Sequence, residues 1–276
     1  MIEPDPGRIH LASAGEAGSV VFALHGIGGA SDSFAEQLAG LSDRHRVIAW
    51  DAPGYGRSAD TPTALDMDGF AGAAATVIGS LGVARVHVMG VSWGGVIATR
   101  LALTHPQLVR SLVLADSSRG SGRSPEAAES MRARIRELGR LGPTDFARVR
   151  TPRLFAPGAD PQLVARARLT MAASVRLPGY RDAAESMART DHSDALAQLA
   201  VPALVLVGEH DVVTGVAESE ALARGISGAR LVVLPDCGHA ANQERPVRFN
   251  QEVIDFLSAF DSPPSAVTQL EERSWI

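Results

Sequence analysis

The sequence predicts an α/β fold in which helices cover both faces of a twisted, mostly parallel β-sheet. Short strand-like apolar runs alternate with helical stretches, as in parallel strands joined by crossover helices. The runs are apolar throughout rather than at every second position, as expected for strands buried on both faces. The 276 residues are 45% apolar and 21% charged, a composition that supports a large core.

Six strands and three helices of this core are predicted along the chain. The strands cover residues 20–24, 47–50, 86–89, 112–115, 203–207 and 231–234. The helices cover residues 31–41, 66–81 and 92–104. A helix therefore follows each of the first three strands, which makes those strands parallel neighbours.

The alternation stops between residues 117 and 200. This segment has no strand-like run and contains helical stretches at 126–141, 161–171 and 181–189, separated by Gly–Pro or Pro–Gly pairs. We predict that residues 117–200 form a helical cap, or lid, inserted into one core. The core then consists of residues 1–116 and 201–276.

The third predicted strand leads into Gly90-Val91-Ser92-Trp93-Gly94-Gly95 and then into a helix. In a Gly-x-Ser-x-Gly turn between a strand and a helix, the sharp backbone holds the serine hydroxyl clear of the sheet. The glycines leave room for that turn. Ser92 is therefore the predicted nucleophile. The alternative is an ordinary glycine-rich turn with Ser92 as the N-cap of the helix.

A nucleophilic serine needs a base and an acid that orients the base. Asp211 and His239 each follow one of the last two predicted strands, in the chain order serine, acid, histidine. Because the carboxyl ends of parallel strands meet at one edge of the sheet, we expect both side chains near Ser92. Asp116, just after the fourth predicted strand, is the alternative acid.

Acyl transfer also requires two N–H donors for the developing oxyanion. The backbone N–H of Trp93, directly after the nucleophile, is one predicted donor. The N–H of Ile27, in the loop after the first predicted strand, is the other. In the same loop, His25 and Gly26 are predicted to lie at the substrate, with His25 bracing the loop by hydrogen bonds.

The chain resembles the α/β-hydrolase-fold superfamily over nearly its whole length. The motifs are His25-Gly26-Ile27-Gly28, Asp51-Ala52-Pro53-Gly54-Tyr55-Gly56-Arg57-Ser58, Gly90-Val91-Ser92-Trp93-Gly94-Gly95, Gly208-Glu209-His210-Asp211 and Gly238-His239. The resemblance implies the α/β-hydrolase fold with an inserted helical cap. Within the superfamily, the capped architecture is similar to 3-oxoadipate enol-lactonases and their carboxylesterase and C–C hydrolase relatives. Trp93 stands where Met or Leu is common in those groups. The short region before Val20 implies that one of the leading antiparallel strands is missing.

Composition excludes several kinds of chemistry. All 26 Lys and Arg residues are Arg, a bias typical of GC-rich bacterial genomes. Without lysine the chain has no Schiff-base residue, no pyridoxal anchor and no phosphate-loop lysine. The one cysteine, Cys237, excludes an internal disulfide and a cysteine-rich zinc site, and the histidines show no metal-ligand spacing. We therefore expect no cofactor and no metal.

Charge is distributed unevenly along the chain. The net charge of −5 gives no basic character that would favour nucleic acid. Residues 117–200 carry 14 Arg against nine Asp and Glu, so a basic cap would attract an anionic substrate. Arg119 and Arg123 are predicted to face the pocket, with Phe155 in its apolar wall. Other cap arginines, including Arg134, are expected on a solvated helix face.

These features predict a cofactor-free serine hydrolase that cleaves a small carboxylic ester or lactone through an acyl-enzyme. Hydrolysis of a C–C bond in a diketone, acyl transfer and a non-catalytic small-molecule receptor are the alternatives. An acidic, proline-broken N-terminus and the lack of an apolar run of about 18 residues indicate a cytoplasmic protein without membrane association. The sequence leaves a homodimer open, with the terminal Trp275-Ile276 pair as a candidate contact.

Overall fold

The computed structural model describes residues 8–261, which fold around a seven-stranded β-sheet. The strands are β1 (Leu11–Ala14), β2 (Val20–Leu24), β3 (Arg46–Trp50), β4 (Val86–Val91), β5 (Val109–Ala115), β6 (Ala203–Gly208) and β7 (Arg230–Leu234). Their order across the sheet is β1-β3-β2-β4-β5-β6-β7, and every neighbouring pair is parallel except β1 and β3. The predicted mostly parallel sheet is confirmed.

Helices lie on both faces of this sheet. Those in residues 8–261 are α1 (Ala35–Leu41), α2 (Met67–Ser80), α3 (Trp93–Thr104), α4 (Pro125–Arg150), α5 (Pro161–Ser174), α6 (Gly179–Arg189), α7 (Val216–Gly225), α8 (Ala241–Glu244) and α9 (Pro246–Ser258). Successive residues of a strand belong to different cores: Phe22 packs in the core that contains α2 and α3, whereas Val21 packs in the core that contains α1 and α9. This is why the strands read as continuous apolar runs.

Strand β1 and the helices α7, α8 and α9 are absent from the predicted elements. Strand β1 has only four residues, none of them fully buried, so it carries no apolar run. After residue 208 no helix is predicted, although α9 buries Phe249, Val253 and Phe256 at helical spacing. That periodicity would have identified α9.

The segment between β5 and β6 consists of α4, α5 and α6, joined by loops and short 3₁₀ turns. Helix α4 is broken at Gly142, where φ is 71° and ψ is 167°. The predicted helix ends at residue 141 because a Gly–Pro pair normally stops a helix. Here the chain returns to helix at Pro143 and continues to Arg150. The cap boundaries at residues 117 and 200 stay a prediction.

None of the helices within residues 8–261 has both the length and the apolar character needed to cross a bilayer. The candidate contact residues Trp275 and Ile276 lie outside the described residues.

Candidate active site

Ser92 lies at the turn between β4 and α3, with a strained backbone. Its φ is 54° and its ψ is −118°. Holding a residue other than glycine in this conformation costs about 1–3 kcal/mol. The turn is tight: a Cβ at Gly90 would collide with the backbone of Gly94, and a Cβ at Gly94 would collide with that of Leu24. Both glycines are therefore required on steric grounds.

Ser92, His239 and Asp211 form one hydrogen-bonded chain. His239 Nε2 lies 2.9 Å from Ser92 Oγ, and His239 Nδ1 lies 3.0 Å from Asp211 Oδ2. With the imidazole proton on Nδ1, His239 donates to Asp211 and accepts from the Ser92 hydroxyl. The loops after β4, β6 and β7 bring these side chains together, as the sequence predicts.

Asp211 is held as a carboxylate by its surroundings. Its Oδ1 accepts hydrogen bonds from the backbone N–H of Val213 at 2.7 Å and of Thr214 at 3.1 Å. Its Oδ2 accepts one from the Thr214 hydroxyl at 2.5 Å. Burial alone would raise the pKa of Asp211, but the hydrogen bond and charge of His239, with the Thr214 and Val213 donors, hold the pKa below its usual range. An ionised Asp211 can orient His239 and stabilise its cation.

Asp116, the alternative acid, has a different position. Its two oxygens accept from the backbone N–H of Gly208 at 2.9 Å and of Ala241 at 3.1 Å. Burial, reinforced by the neighbouring Asp211 charge, raises the pKa of Asp116 well above its usual range. Asp116 therefore joins the ends of β5 and β6 to the start of α8, and Asp211 is the carboxylate at His239.

The two predicted oxyanion donors flank the serine. Trp93 is the first residue of α3, and a Cβ at Gly26, which precedes Ile27, would lie 3.3 Å from Ser92 Cβ. Neither the Trp93 nor the Ile27 backbone N–H donates to an acceptor within residues 8–261. Backbone N–H groups are nearly always paired with an acceptor. Two unpaired N–H donors beside one serine could therefore bind an anion such as an oxyanion.

His25 fixes the loop that carries Ile27. Its Nε2 accepts from the Ala52 backbone N–H at 2.9 Å, and its Nδ1 donates to the Gly26 carbonyl at 2.8 Å. Burial lowers the pKa of His25 to about 4 despite the Gly26 hydrogen bond. A neutral imidazole with a hydrogen bond at each ring nitrogen is suited to bracing the loop and not to proton transfer near neutral pH.

A cavity of about 130 Å³ opens onto the serine. Its floor includes Ser92, His239 and the Gly26–Ile27 loop, and its apolar wall includes Leu154 and Met171. The small volume favours a substrate of few atoms around the reacting carbon.

A comparison with known families identifies the fold. The profile described as the alpha/beta hydrolase fold matches residues 19–246. The chain belongs to this family. The resemblance and the fold class predicted from the motifs are both confirmed.

Three proteins similar to this α/β-hydrolase are named as hydrolases. A Pseudomonas savastanoi pv. phaseolicola protein, RutD, named provisionally for carbamate hydrolysis, is 32% identical over 91% of this chain and 98% of its own. A malate-bound esterase from Thermogutta terrifontis has 30% identity and a TM-score of 0.86, with 92% of this chain and 94% of that one covered. The enol-lactonase from Burkholderia xenovorans LB400 has 28% identity and a TM-score of 0.82, over 91% and 96%.

Two predicted substrate-binding arginines of this α/β-hydrolase lie elsewhere. Arg119 pairs with Glu218 through both its Nε and Nη2 atoms at 3.0 Å, and Arg123 pairs with the same carboxylate at 3.1 Å. Neither side chain lines the cavity. The expectation that they face the pocket is wrong, because the buried Glu218 at the start of α7 requires counter-charges.

Phe155 is also absent from the cavity lining. Its side chain is buried, whereas the preceding Leu154 reaches the cavity. In addition, a Cβ at Gly238 would collide with the Phe155 backbone. Phe155 therefore packs beside the loop that carries His239 and does not line the substrate wall.

Three arginines that sequence reasoning missed do line the cavity: Arg134, Arg150 and Arg153. Arg134 lies three residues after Met131 and four before Leu138, both of which are buried, so helical spacing places it on the inward face of α4. This signal could have corrected the expectation of a solvated face. The positions of Arg150 and Arg153 depend on the break at Gly142 and had no such signal.

Outside the cavity, Glu209, His210 and Asp236 bring possible ligand atoms within 4.8 Å of one another. All three residues are exposed, and exposed acidic groups commonly cluster in this way without a metal. Nothing in the geometry of the described residues gives this cluster a part in the chemistry at Ser92.

Proposed function

We propose that the protein is a cofactor-free serine hydrolase that cleaves a small carboxylic ester or lactone through an acyl-enzyme. The observation that carries the proposal is the hydrogen-bonded chain from Ser92 through His239 to Asp211, opening onto a small cavity. Membership in a family of hydrolases, with an esterase and an enol-lactonase among its relatives, supports it.

In the first half-reaction, Ser92 Oγ attacks the acyl carbon while its proton passes to His239 Nε2. The carbonyl oxygen becomes an oxyanion and accepts from the free N–H groups of Trp93 and Ile27. The ester C–O bond then breaks, and the leaving alkoxide takes the proton from His239. In a lactone the alkoxide stays attached to the acyl group.

In the second half-reaction, water attacks the acyl carbon and gives a proton to His239. The same two N–H groups hold the new oxyanion. The bond between the acyl carbon and Ser92 Oγ breaks, and the proton returns from His239 to Oγ. The products are a carboxylic acid and an alcohol, or one hydroxy acid, and the enzyme is regenerated without a cofactor.

Replacement of the nucleophile tests the proposal. In Ser92→Ala, kcat for a short-chain ester is expected to fall by at least about 10⁴-fold, because Oγ forms the covalent bond. Ester turnover and thermal unfolding are measured on the same preparation. Ser227→Ala, an exposed serine in the turn between α7 and β7 and outside the cavity, is the matched control and should leave both unchanged. Undiminished turnover by Ser92→Ala would refute the proposal.

Carbamate hydrolysis is a second candidate, favoured by the RutD relative. The same serine, base and oxyanion donors would attack a carbamate carbon, whose nitrogen makes it less electrophilic than an ester carbon. Turnover of an ester and of a carbamate with the same acyl size and leaving group separates the two. A higher kcat/KM for the ester supports the first proposal, and a higher value for the carbamate supports the second.

A further inference from the structure

The cavity at Ser92 has an unbalanced charge. Its lining includes Arg134, Arg150 and Arg153 and, in the described part of the chain, no Asp or Glu. The three arginines come from α4 and the short 3₁₀ turn after it, whereas Ser92 and His239 come from the loops at the sheet edge. We call the part of the cavity lined by Ser92 and His239 its reactive end and the part lined by the three arginines its cationic end.

Arg134 is the most unusual of the three. Most cap arginines have a carboxylate partner, for example Arg132 with Glu185 and Arg136 with Glu129. Within residues 8–261 no carboxylate pairs with Arg134, and its Nε is buried without a hydrogen-bond acceptor. A half-buried guanidinium group whose Nε has no acceptor and which has no counter-charge is unfavourable, so a ligand that supplied a counter-charge would be held firmly.

The surroundings of Arg134 reinforce this. Burial lowers the pKa of Arg134; the neighbouring Tyr180 hydroxyl raises it, and the like charges of Arg150 and Arg153 lower it further. Arginine still stays protonated under all ordinary conditions. The charge is therefore permanent, and its environment disfavours it.

Arg150 and Arg153 complete the cluster. Arg150 Nε lies 3.0 Å from Glu137 Oε2, and the guanidinium group lies 5.7 Å from the centre of the Phe146 ring. These contacts hold Arg150 in place and balance one positive charge. Arg153 is exposed at the cavity and has no carboxylate partner among residues 8–261. Two positive charges at the cavity are thus uncompensated.

We propose that this cationic end is a carboxylate subsite, in which Arg134, assisted by Arg150 and Arg153, binds a free carboxylate on the substrate whose acyl carbon lies at Ser92. The subsite rests on the proposed hydrolase function and narrows its substrate class to an ester or lactone that carries a second, ionised carboxyl group. A guanidinium fork matches the two oxygens of a carboxylate, and a charge-assisted pair excluded from water is strong.

Matched esters test the subsite. For an acyl-side carboxylate, the pair is 4-nitrophenyl hydrogen glutarate and its neutral methyl ester. For a leaving-side carboxylate, the pair is 4-carboxyphenyl butyrate and phenyl butyrate. In the wild-type enzyme, kcat/KM for the charged member of at least one pair is expected to exceed that of the neutral member by about tenfold or more.

The variant Arg134→Met keeps the unbranched stem of the side chain and removes the guanidinium group with its charge. The preference for the charged ester is expected to fall by about 10- to 100-fold, whatever the effect on the neutral ester. Arg140→Met, an exposed arginine of α4 outside the cavity, is the matched control and should keep the wild-type ratio. Arg134→Lys, which keeps the charge but not the fork, should give an intermediate ratio.

A binding measurement separates the subsite from the catalysis. Calorimetry with Ser92→Ala and with Ser92→Ala/Arg134→Met reports binding of the charged ester without turnover. If binding requires Arg134 but the wild-type protein hydrolyses none of the esters, the carboxylate subsite stands and the proposed hydrolase function is wrong. Equal kcat/KM for charged and neutral esters, or a preference that survives Arg134→Met, would overturn the subsite while leaving the hydrolase intact.

Discussion

Three buried histidines keep a neutral ring in the folded protein. Burial lowers the pKa of His25, His87 and His192 to about 4, although hydrogen bonds to oxygen acceptors of Gly26, Asp261 and Val96 act in the opposite direction. In the unfolded chain each would titrate near 6.5. As the pH falls from 6.5 towards 4, the unfolded chain therefore binds protons that the folded protein does not, and the folded protein loses stability.

The free energy of unfolding is expected to fall by at least ~2 kcal/mol between pH 7 and pH 5. Each histidine contributes to this loss, whereas Asp116, whose pKa is raised in the folded state, opposes it by taking up one proton. Urea unfolding at both pH values measures the change. His192→Gln should show a smaller loss than the wild type. A free energy of unfolding that is constant or rises from pH 7 to pH 5 would contradict the expectation.

At the active site, local motifs carry most of the predictable information. Ser92, Asp211 and His239 each follow a strand that the apolar pattern identifies, so strand topology alone brings them to one edge. The arginines are different, because their partners are distant in sequence. Arg119 is removed from the pocket by Glu218, 99 residues away, and no motif announces that pairing.

Helix α4 changes direction at Gly142. A φ of 71° with a ψ of 167° is a backbone conformation that residues other than glycine rarely adopt. The break separates the part of α4 that carries Arg134 from the part that ends at Arg150. Both parts nevertheless contribute to one cavity, which a single straight helix with these residues about four turns apart would not allow.

A pair of alanine variants tests this role of Gly142. Gly142→Ala should lower the free energy of unfolding by ~1–3 kcal/mol, because alanine is strained at this φ and ψ. Gly139→Ala, one turn earlier in the regular part of α4, should raise it by ~0.5–1 kcal/mol. A Cβ at either position meets no atom within 4 Å, so the difference between the two variants reflects backbone conformation and not side-chain packing. Equal effects of the two substitutions on urea unfolding would contradict a backbone role for Gly142.

Element prediction fails where the local signal is weak. Strand β1 is four residues long and half-buried, and it exists because β3 supplies an antiparallel partner. The second half of α4 follows a Gly–Pro pair that usually ends a helix. Its continuation depends on tertiary burial of Phe146 and Ala147, with the Phe146 ring against Tyr180 of α6. Long, fully buried strands such as β6 are predictable because both faces require apolar residues.

Across the whole molecule, the parallel sheet explains why the reactive groups converge. The carboxyl ends of β4, β6 and β7 lie along one edge of the sheet. One apolar core on each face holds these strands in register. The reactive groups are thus fixed by the sheet, whereas the cationic end of the cavity is supplied by the segment between β5 and β6. Under the proposed function, the groups fixed by the sheet carry out the reaction and the intervening helices select the substrate.

The central claim is that Ser92 becomes covalently bonded to the acyl group. Treatment with a fluorophosphonate, in which Ser92 Oγ would displace fluoride from phosphorus, followed by mass spectrometry of the intact protein and its peptides, tests this most directly. We expect one adduct per chain, located on Ser92, together with loss of ester turnover, and no adduct in Ser92→Ala. An adduct on another residue, or full turnover by a protein labelled at Ser92, would contradict it.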